Sequence, residues 1–320
     1  MTLAGSPDRI ESRLVPEAGY ELDTFRVDGF PRKPTPALAT AVLHAATAPP
    51  ACREILRRRR PDVVFGAGGY VAGPMVLAAA TMRIPAAVAE ADAHLGLANR
   101  LALPFAKRAF LAYPIEGRTG RRYRVVGRPI PDRARPIPQV EARQIFELPE
   151  DEPVLLVTGA LAGARSLNEL AVEAFGEVGP AILHISGERD YNLLKPRVNR
   201  PDYRLLPVTE RIGAAYAAAD LVLARAGSAV WEIAAAGKPA ILVPYPFATG
   251  DHQAKNAEYF VHAGGAIMVR ELDLADVPDR ARTLLGEPKR LAQMSEAMLR
   301  VARPDAAAEV AEGLIELARA

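Results

Sequence analysis

The polar residues that follow one short apolar segment have the composition of a sugar-binding loop. The run AILVP (240–244) leads into a loop that carries Asp251, His252, Gln253 and Asn256 within six positions. Amide and imidazole groups both donate and accept hydrogen bonds, as the recognition of sugar hydroxyls requires. A simpler interpretation is that Asp251 caps a helix and that its neighbours are solvated. The loop alone leaves both interpretations open.

A second polar segment strengthens the first interpretation. The apolar run LVLA (221–224) is followed by RAGSAVWEIAAAGKP (225–239). Ser228 is well placed to cap a helix, and Glu232 lies one turn further along the same face. A carboxylate can accept hydrogen bonds from both vicinal hydroxyls of a ribose, although a surface glutamate is the alternative. Together with the polar loop, Glu232 favours a nucleotide-sugar as the ligand.

Two glycine-rich loops could hold phosphate groups. GAGGYVAGP (66–74) and TGALAGARSLNE (158–169) each lie between an apolar run and a helical stretch. Glycine permits positive φ and a close backbone approach, and a helix N-terminus offers N–H groups to an anion. The first loop could equally be a tight turn without a ligand. In the second, no hydroxyl lies between Gly159 and Gly163, so binding would depend on Thr158, backbone N–H groups and the helix dipole.

An acidic cluster follows the run AAVAE (86–90). Glu90, Asp92 and His94 alternate along the chain, so an extended backbone would place them on one face. They could be metal ligands, or they could include the general base for a sugar hydroxyl. They could also be turn residues that cap the helix carrying Asn99. The spacing leaves the three interpretations open.

The elements that must position these loops are short apolar strands alternating with helices. Ten runs predict strands: 63–65, 86–90, 110–113, 123–127, 154–159, 181–186, 203–207, 221–224, 240–244 and 266–269. Their continuous apolar character is typical of parallel strands covered by helices on both faces. A Pro- and Arg-rich linker predicts a boundary near residue 132, which gives an N-terminal domain 1–132 and a C-terminal domain 133–320 ending in a helix over 304–320. Two doubly wound α/β domains predict a cleft with ligands outside the carboxyl ends of the strands.

Composition excludes several classes of protein. The 320 residues carry a net charge of +2, which argues against a nucleic-acid-binding protein, and the single Cys52 excludes an internal disulfide. No apolar run reaches the roughly 18–20 residues of a membrane span. Four consecutive arginines, 57–60, predict a solvated helix end. With Leu101, Phe105 and Phe110, they alternatively predict docking to anionic lipid headgroups.

Taken together, these segments resemble the MurG family of UDP-N-acetylglucosamine transferases. RAGSAVWEIAAAGKPAILVPYPFATGDHQAKNA (225–257) is similar to the donor-site motif of that family, and GAGGYVAGP, IESRLVPEAGY (10–20) and GLANR (96–100) match it as well. The resemblance implies two Rossmann-like domains of the GT-B type, with the undecaprenyl-linked acceptor on the first and the nucleotide-sugar on the second. It implies an inverting, metal-independent transfer to the 4-hydroxyl of the muramoyl sugar of lipid I, which forms lipid II. The reaction is expected at the cytoplasmic face of the bacterial membrane, without a cofactor.

The resemblance also assigns roles to individual positions. Glu232 is expected to hold the ribose, Thr209 to present its backbone to the uracil, and His252 and Gln253 to meet the sugar hydroxyls. The expected donor site further includes Gly159, Arg225, Gly227, Ser228 and Asn256. The acceptor diphosphate is expected at Gly66, Gly68, Gly69 and Tyr70. Glu90 or Asp92 is expected to act as the base or to position the acceptor.

The sequence departs from the family pattern in four places. The family's His-Glu-Gln-Asn reads Ala-Glu-Ala-Asp at 89–92, and its Gly-Gly-Ser phosphate loop reads Gly-Ala-Leu at 159–161. Its Gly-Asn-Pro-x-Arg reads GRPIP at 127–131, so Arg128 or Arg133 is expected to replace the missing arginine. The opening segment TLAGSPDRIESRLVP matches the part of the family sequence that comes after its first strand–loop–helix unit, of roughly 30–40 residues. The sequence therefore predicts that this unit is absent from the first domain, most simply because the true start lies upstream of Met1, or else because the domain has rearranged or the protein is a degenerate paralogue.

Overall fold

The chain forms two compact units. The computed structural model describes residues 1–27, 36–159 and 163–320, with the side chains of 36–46 also left aside. Unit 1 comprises Met1–Val126 together with Ala308–Ala320, and unit 2 comprises Gly127–Ala307. The division thus lies a few residues before the expected boundary near 132. The final helix, expected to belong to the second domain, is part of unit 1.

The described residues of unit 1 form six short strands and four α-helices before the chain enters unit 2. The strands are β1 (Leu3–Gly5), β2 (Leu22–Thr24), β3 (Val64–Gly66), β4 (Ala86–Glu90), β5 (Arg108–Leu111) and β6 (Tyr123–Val125). The helices are α1 (Glu11–Glu17), α2 (Pro36–Arg59), α3 (Gly69–Thr81) and α4 (Leu97–Ala102). Strands β3, β4, β5 and β6 form a parallel sheet in that order, and β1 pairs in parallel with β2. Across the described residues of this unit, no strand ladder joins the two sheets.

Unit 2 contains one six-stranded parallel sheet and its covering helices. The strands are β7 (Val154–Thr158), β8 (Ala181–Ile185), β9 (Tyr203–Leu206), β10 (Leu221–Ala224), β11 (Ala240–Leu242) and β12 (Ala266–Met268). The helices are α5 (Gln139–Ile145), α6 (Arg165–Phe175), α7 (Glu188–Leu194), α8 (Ile212–Ala218), α9 (Val230–Ala235), α10 (His252–His262), α11 (Val277–Leu285) and α12 (Pro288–Val301). The last helix of the chain is α13 (Ala306–Arg319).

The strand order of unit 2 fixes where a ligand can bind. The order is β12-β11-β10-β7-β8-β9, which is the doubly wound dinucleotide-fold order, and it reverses between β7 and β10. At this switch point the connections leave towards opposite faces of the sheet, which opens a crevice at the carboxyl ends of the two strands. The loops after β7 and β10 are those that carry Gly159–Gly163 and Arg225–Ser228.

Burial explains why the sequence predicted the strands so well. All residues of β7, β8, β10 and β11 are buried. Helices cover both faces of these strands, so every position is apolar apart from Thr158 and His184, and the continuous apolar runs follow. All ten predicted strands occur, with shifts of up to two residues at their ends. The two strands that were not predicted, β1 and β2, read LAG and LDT, so neither lies in a continuous run of strongly apolar residues.

Helix α13 belongs to unit 1 because its apolar face packs on the sheet formed by β3–β6. Val310 and Leu317 lie in one buried cluster with Phe110. A Cβ on Gly313 would lie 2.7 Å from the Phe110 ring, so glycine permits the close approach of the helix. Arg108 donates to the Gly313 carbonyl over 2.8 Å. The sequence predicted the helix itself, but its local pattern does not indicate which sheet the helix packs against.

No helix in the parts of the chain that the structure describes is both long and apolar enough to cross a membrane.

Candidate active site

The loop after β7 is shaped by two glycines that no other residue could replace. A Cβ on Gly159 would lie 2.2 Å from the backbone nitrogen of Ala164, and one on Gly163 would lie 2.4 Å from the Ser186 carbonyl oxygen. Gly163 also has φ +68°, which favours glycine. Gly163 therefore lies against the β8–α7 connection just before α6, whose N-terminus can accept an anion. The positions of the altered phosphate-loop motif at 160–162 lie outside the described residues.

Arg225, at the end of β10, ties this loop region to its neighbours. Its Nη2 donates to Ser166 Oγ on α6 over 2.7 Å, and its guanidinium pairs with Glu271 after β12. Burial alone would raise the pKa of Glu271, but hydrogen bonds from Arg225 and Ser166 outweigh it and lower this pKa below its ordinary value. Arg225 was expected to shape the donor pocket, and that role stays a prediction. Arg225 connects the ends of three strands.

Glu232 lies on α9, at the switch point, and is half-buried. Tyr216 on α8, which is fully buried, donates its hydroxyl to Glu232 Oε2 over 3.1 Å. Burial raises the pKa of the Glu232 carboxyl above its ordinary value, although the hydrogen bond from Tyr216 and the charges of Arg128 and Arg133 oppose this effect. Glu232 is therefore neither a solvated surface residue nor sealed in the core.

Thr209 lies in the loop that joins β9 to α8, the helix that carries Tyr216. Its hydroxyl accepts a hydrogen bond from the Arg211 backbone nitrogen over 3.1 Å. This contact stabilises the turn before α8. The backbone of the loop lies at the carboxyl ends of the strands, where a nucleotide base could contact it.

The polar loop after β11 carries two half-buried residues, His252 and Gln253, and the fully buried Asn256. His252 Nδ1 lies 3.0 Å from the Thr249 carbonyl, so Nδ1 carries the proton and Nε2 is the acceptor of the neutral ring. Gln253 accepts a hydrogen bond from the Tyr245 backbone nitrogen over 2.9 Å. Its amide nitrogen lies next to Gly227, at 3.8 Å from the position of a Cβ.

Asn256 has a different place from the one expected. It is fully buried on α10, and its Nδ2 lies 3.2 Å from the Ala226 carbonyl. The side chain therefore supports the Arg225–Ser228 turn from within the core and has no surface to offer a sugar hydroxyl. Periodicity could have found this, because Asn256 shares its helix face with the buried Phe260.

Neither of the two predicted helix caps forms. The N-cap of α9 is Ala229 rather than Ser228, and no side chain bonds to the first turn. Asp251 precedes α10 in a left-handed conformation and pairs with Arg270 over 3.0 Å instead of capping. The Ser228 hydroxyl, half-buried at the switch point, thus has no capping bond to hold it away from a ligand.

In unit 1, the expected acceptor residues surround the start of α3. Gly68 is the N-cap of this 13-residue helix with φ +107°, and Gly69 follows with φ +68°. Gly66 is packed against Ala72. Tyr70 is half-buried, with the guanidinium of Arg9 5.9 Å from its ring centre. Free N–H groups and a cation thus meet at one helix N-terminus.

Glu90 is held by four N–H donors at the end of β4. Its Oε2 accepts from the Gly96 nitrogen over 2.8 Å and from Asn99 Nδ2 over 2.9 Å. Its Oε1 accepts from the backbone nitrogens of Ala91 and Asp92 over 3.0 Å and 3.3 Å. The carboxylate is buried and organises the β4–α4 loop, so its geometry does not suit proton transfer.

Asp92 and His94, in the same loop, are half-buried. In the parts of the chain that are described, no three His, Cys, Asp or Glu side chains are arranged to hold a metal ion. The metal-ligand interpretation of Glu90, Asp92 and His94 therefore has no geometric support.

Sequence reasoning missed three residues that organise the donor loops: Tyr216, Ser166 and Glu271. Ser166 and Tyr216 lie on helices α6 and α8, and Glu271 lies in a short 3₁₀ turn after β12. Each acts through a contact with a residue more than 15 positions away along the chain. A local pattern carries no signal for such pairs.

Comparison with known proteins identifies the family. A model of the N-terminal domain of glycosyltransferase family 28 matches residues 2–111, and a model of the C-terminal domain matches residues 154–310. A relative from Mycolicibacterium paratuberculosis is 39% identical over 100% of this chain and 81% of its own length. That relative is named UDP-N-acetylglucosamine–N-acetylmuramyl-(pentapeptide) pyrophosphoryl-undecaprenol N-acetylglucosamine transferase. The chain belongs to the MurG family.

Other members and neighbours agree with the MurG assignment. A relative of the same name from Halothermothrix orenii is 34% identical over 94% of this chain and 86% of its own length. The crystal structure of Acinetobacter baumannii MurG superposes with a TM-score of 0.79 at 26% identity, covering 98% of this chain and 90% of the other. A UDP-GlcNAc 2-epimerase from Neisseria meningitidis shares the fold at a TM-score of 0.64 and 13% identity, with 98% and 90% covered. The predicted family and the two-domain α/β fold class are both confirmed.

Proposed function

We propose that this protein transfers N-acetylglucosamine from UDP-N-acetylglucosamine to the muramoyl sugar of lipid I, which forms lipid II. The half-buried Glu232 carboxylate at the switch point of unit 2 carries the proposal. It has the chemistry to accept two ribose hydroxyls. The relatives' names supply the donor and the lipid-linked acceptor.

The donor is expected across the loops at the carboxyl ends of the unit 2 strands. The uracil lies at the Thr209 backbone and the ribose at Glu232, while the diphosphate lies at the N-terminus of α6 beside Gly163. The sugar hydroxyls meet His252 and Gln253. Arg225 and Asn256 act by holding the surrounding loops, because their polar groups are bonded to protein atoms.

The acceptor diphosphate is expected at the N-terminus of α3. The reasons are the N–H groups of the helix start, which have no partner within the helix, and the close backbone approach that Gly68 and Gly69 permit. Tyr70 and the neighbouring Arg9 add a hydroxyl and a positive charge.

The chemical step is an inverting displacement without a metal ion. The 4-hydroxyl oxygen of the acceptor attacks C1 of N-acetylglucosamine, the bond from C1 to the β-phosphate oxygen breaks, and UDP leaves with the bonding electrons. Of the two predicted bases, Asp92 receives the hydroxyl proton in this proposal. Glu90 keeps the Asp92 loop in place through its four N–H bonds.

Because the proposed acceptor is lipid-linked, we expect the reaction at the cytoplasmic face of the membrane. A small apolar surface supports peripheral docking there. Leu97 and Leu101 are each 59% exposed and Phe105 is 44% exposed, on α4 and the turn that follows it. Phe110, which the sequence grouped with them, is instead buried under α13. Arg58 and Arg59 pair with Asp23, and Arg57 pairs with Glu54, so three of the four consecutive arginines are partly neutralised.

Calorimetry and turnover together test the function. The protein should bind UDP-N-acetylglucosamine, Glu232→Ala should weaken the binding, and a lipid I analogue should be converted to the lipid II analogue. Equal affinity in both proteins would remove Glu232 from the site. Binding without turnover would indicate a non-catalytic nucleotide-sugar-binding homologue, and turnover only with another glycolipid would indicate a different acceptor.

A further inference from the structure

A buried chain of hydrogen bonds borders the glycine loop of unit 2, and sequence reasoning singled out none of its members. His184 of β8 is fully buried, with Nδ1 2.9 Å from the Tyr203 hydroxyl and Nε2 3.0 Å from Asn168 Oδ1. Asn168 on α6 also donates from Nδ2 to the Ser186 carbonyl over 2.8 Å and to Asp190 over 2.9 Å. These hydrogen bonds thus connect α6, β8, α7 and β9, which follow one another along the sequence.

The direction of every proton in this chain is determined. Asn168 uses its amide nitrogen for Ser186 and Asp190, so its oxygen faces His184 and must accept from Nε2–H. Nδ1 is then the acceptor, and the Tyr203 hydroxyl donates to it. Burial lowers the pKa of His184 to about 3, so the ring stays neutral. One arrangement of protons satisfies all the groups, which makes the geometry unique.

The hydrogen-bonded chain meets the loop after β7 at the Ser186 carbonyl oxygen. Asn168 Nδ2 bonds to this oxygen, and Gly163 packs against it so closely that a Cβ would lie 2.4 Å away. Asn168 is itself on the first turn of α6, the helix that Gly163 leads into. The Gly163 backbone and the start of α6 are therefore both located by the same amide group.

Burying so many polar groups does not stabilise a core more than apolar residues of the same shape would. What a satisfied polar network adds is a single permitted geometry. At this position, that geometry is the spacing between the β8–α7 connection and the N-terminus of α6.

We propose that the buried Asn168–His184–Tyr203 chain is a positioning device for the donor diphosphate, and that Asn168 is its central residue. The inference depends on the proposed function, because it concerns the diphosphate of the nucleotide-sugar. The buried chain makes no contact with the ligand. It holds Gly163 and the start of α6 at the spacing that the two phosphates require.

The test compares ligands that differ only in the diphosphate. Asn168→Ser removes both Nδ2 donations, so UDP and UDP-N-acetylglucosamine should bind about tenfold more weakly. Uridine, which has no phosphate, should bind as it does to the unmodified protein, as measured by ligand-observed NMR. In steady-state kinetics, KM for the donor should rise about tenfold while kcat and KM for the acceptor change less than about twofold.

A matched control separates positioning from general stability. Arg143 is a buried polar residue at the opposite, amino-terminal end of the same sheet, bonded to Asp220 and the Ala218 carbonyl. Arg143→Met should lower the melting temperature without changing the KM for the donor. If Asn168→Ser does not fold, Tyr203→Phe removes a single hydroxyl and should raise the KM for the donor about two- to threefold.

The outcomes distinguish the two proposals. If the unmodified protein fails to bind UDP-N-acetylglucosamine, the proposed function and this inference are both wrong. If it binds, and Asn168→Ser or Tyr203→Phe leaves diphosphate binding unchanged or weakens uridine binding equally, the inference alone is wrong.

Discussion

The Tyr216 hydroxyl donates a hydrogen bond to Glu232 Oε2 over 3.1 Å, and the two residues lie on different helices, α8 and α9. The bond occupies one carboxylate oxygen and orients the other. It also reduces the cost of a half-buried negative charge, which burial makes less favourable. In the proposed donor site, Tyr216 thus leaves the second oxygen of Glu232 for the ribose.

Glu232→Gln should weaken UDP-N-acetylglucosamine binding about 10- to 100-fold, because hydrogen bonds to a charged group are replaced by weaker ones. Tyr216→Phe should weaken UDP-N-acetylglucosamine binding less, by about threefold, since the carboxylate remains. Both are measured by calorimetry at pH 7.

The raised pKa of Glu232 gives this binding a pH dependence. The ionised carboxylate is the better acceptor, so donor affinity should fall as the pH drops through that pKa, above the ordinary value of 4.5. The stability of the unliganded protein depends on pH in the opposite direction. Burial favours the neutral Glu232 carboxyl, so the free energy of unfolding decreases as the pH rises through the same pKa. Glu232→Gln should therefore raise the melting temperature at pH 7 while it weakens binding, and an unchanged pH dependence in this variant would contradict the assignment.

Glu90 and Asp92 should respond differently to amide substitution. Glu90→Gln places an NH₂ group against backbone N–H donors, so it should reduce the free energy of unfolding by about 2 kcal/mol. Asp92→Asn should reduce stability less than Glu90→Gln does and lower kcat about 10²- to 10⁴-fold, as expected for the loss of a general base. Thermal melts and turnover of a lipid I analogue measure both. Full stability with lost kcat in Glu90→Gln would instead make Glu90 the base.

Acid should destabilise the fold through His184. Its pKa falls from 6.5 to about 3 on folding, so the unfolded chain binds the proton more readily, and stability is lost as the pH falls below 6.5. Between pH 7 and pH 5 the loss from this residue is about 2 kcal/mol. Urea unfolding should show a shallower pH dependence in His184→Gln, whereas Tyr203→Phe, which keeps the imidazole, should retain the slope. Equal slopes in all three proteins would mean that His184 titrates normally.

Membrane docking is tested on the apolar surface of α4. Leu101→Ser combined with Phe105→Ser should reduce sedimentation with vesicles containing anionic lipid about tenfold, because the two side chains lose most of their transfer free energy. Leu272→Ser is the matched control, since Leu272 is 97% exposed on unit 2 and should be neutral. Equal sedimentation of the control and the double variant would place the docking surface elsewhere.

The sequence determined ten of the strands in the described residues, the fold class and the family. Strands β7, β8, β10 and β11 are buried on both faces, so each is an unbroken apolar run that is read locally. Gly163 could also be found from the sequence, because its positive φ favours glycine, which is a specific residue type.

Only the tertiary structure decided which side chains can meet a ligand. Glu90 and Asp92 are two acidic residues at the end of β4, but four N–H donors enclose the buried Glu90, whereas Asp92 is half-buried. Asn256 has the composition of a sugar ligand and lies in the core. The packing of α13 on the sheet of unit 1 and the hydrogen bonds of His184 both depend on contacts between residues that are far apart in sequence. Because such contacts arise from packing and hydrogen-bond geometry in three dimensions, no local pattern of residue types encodes them.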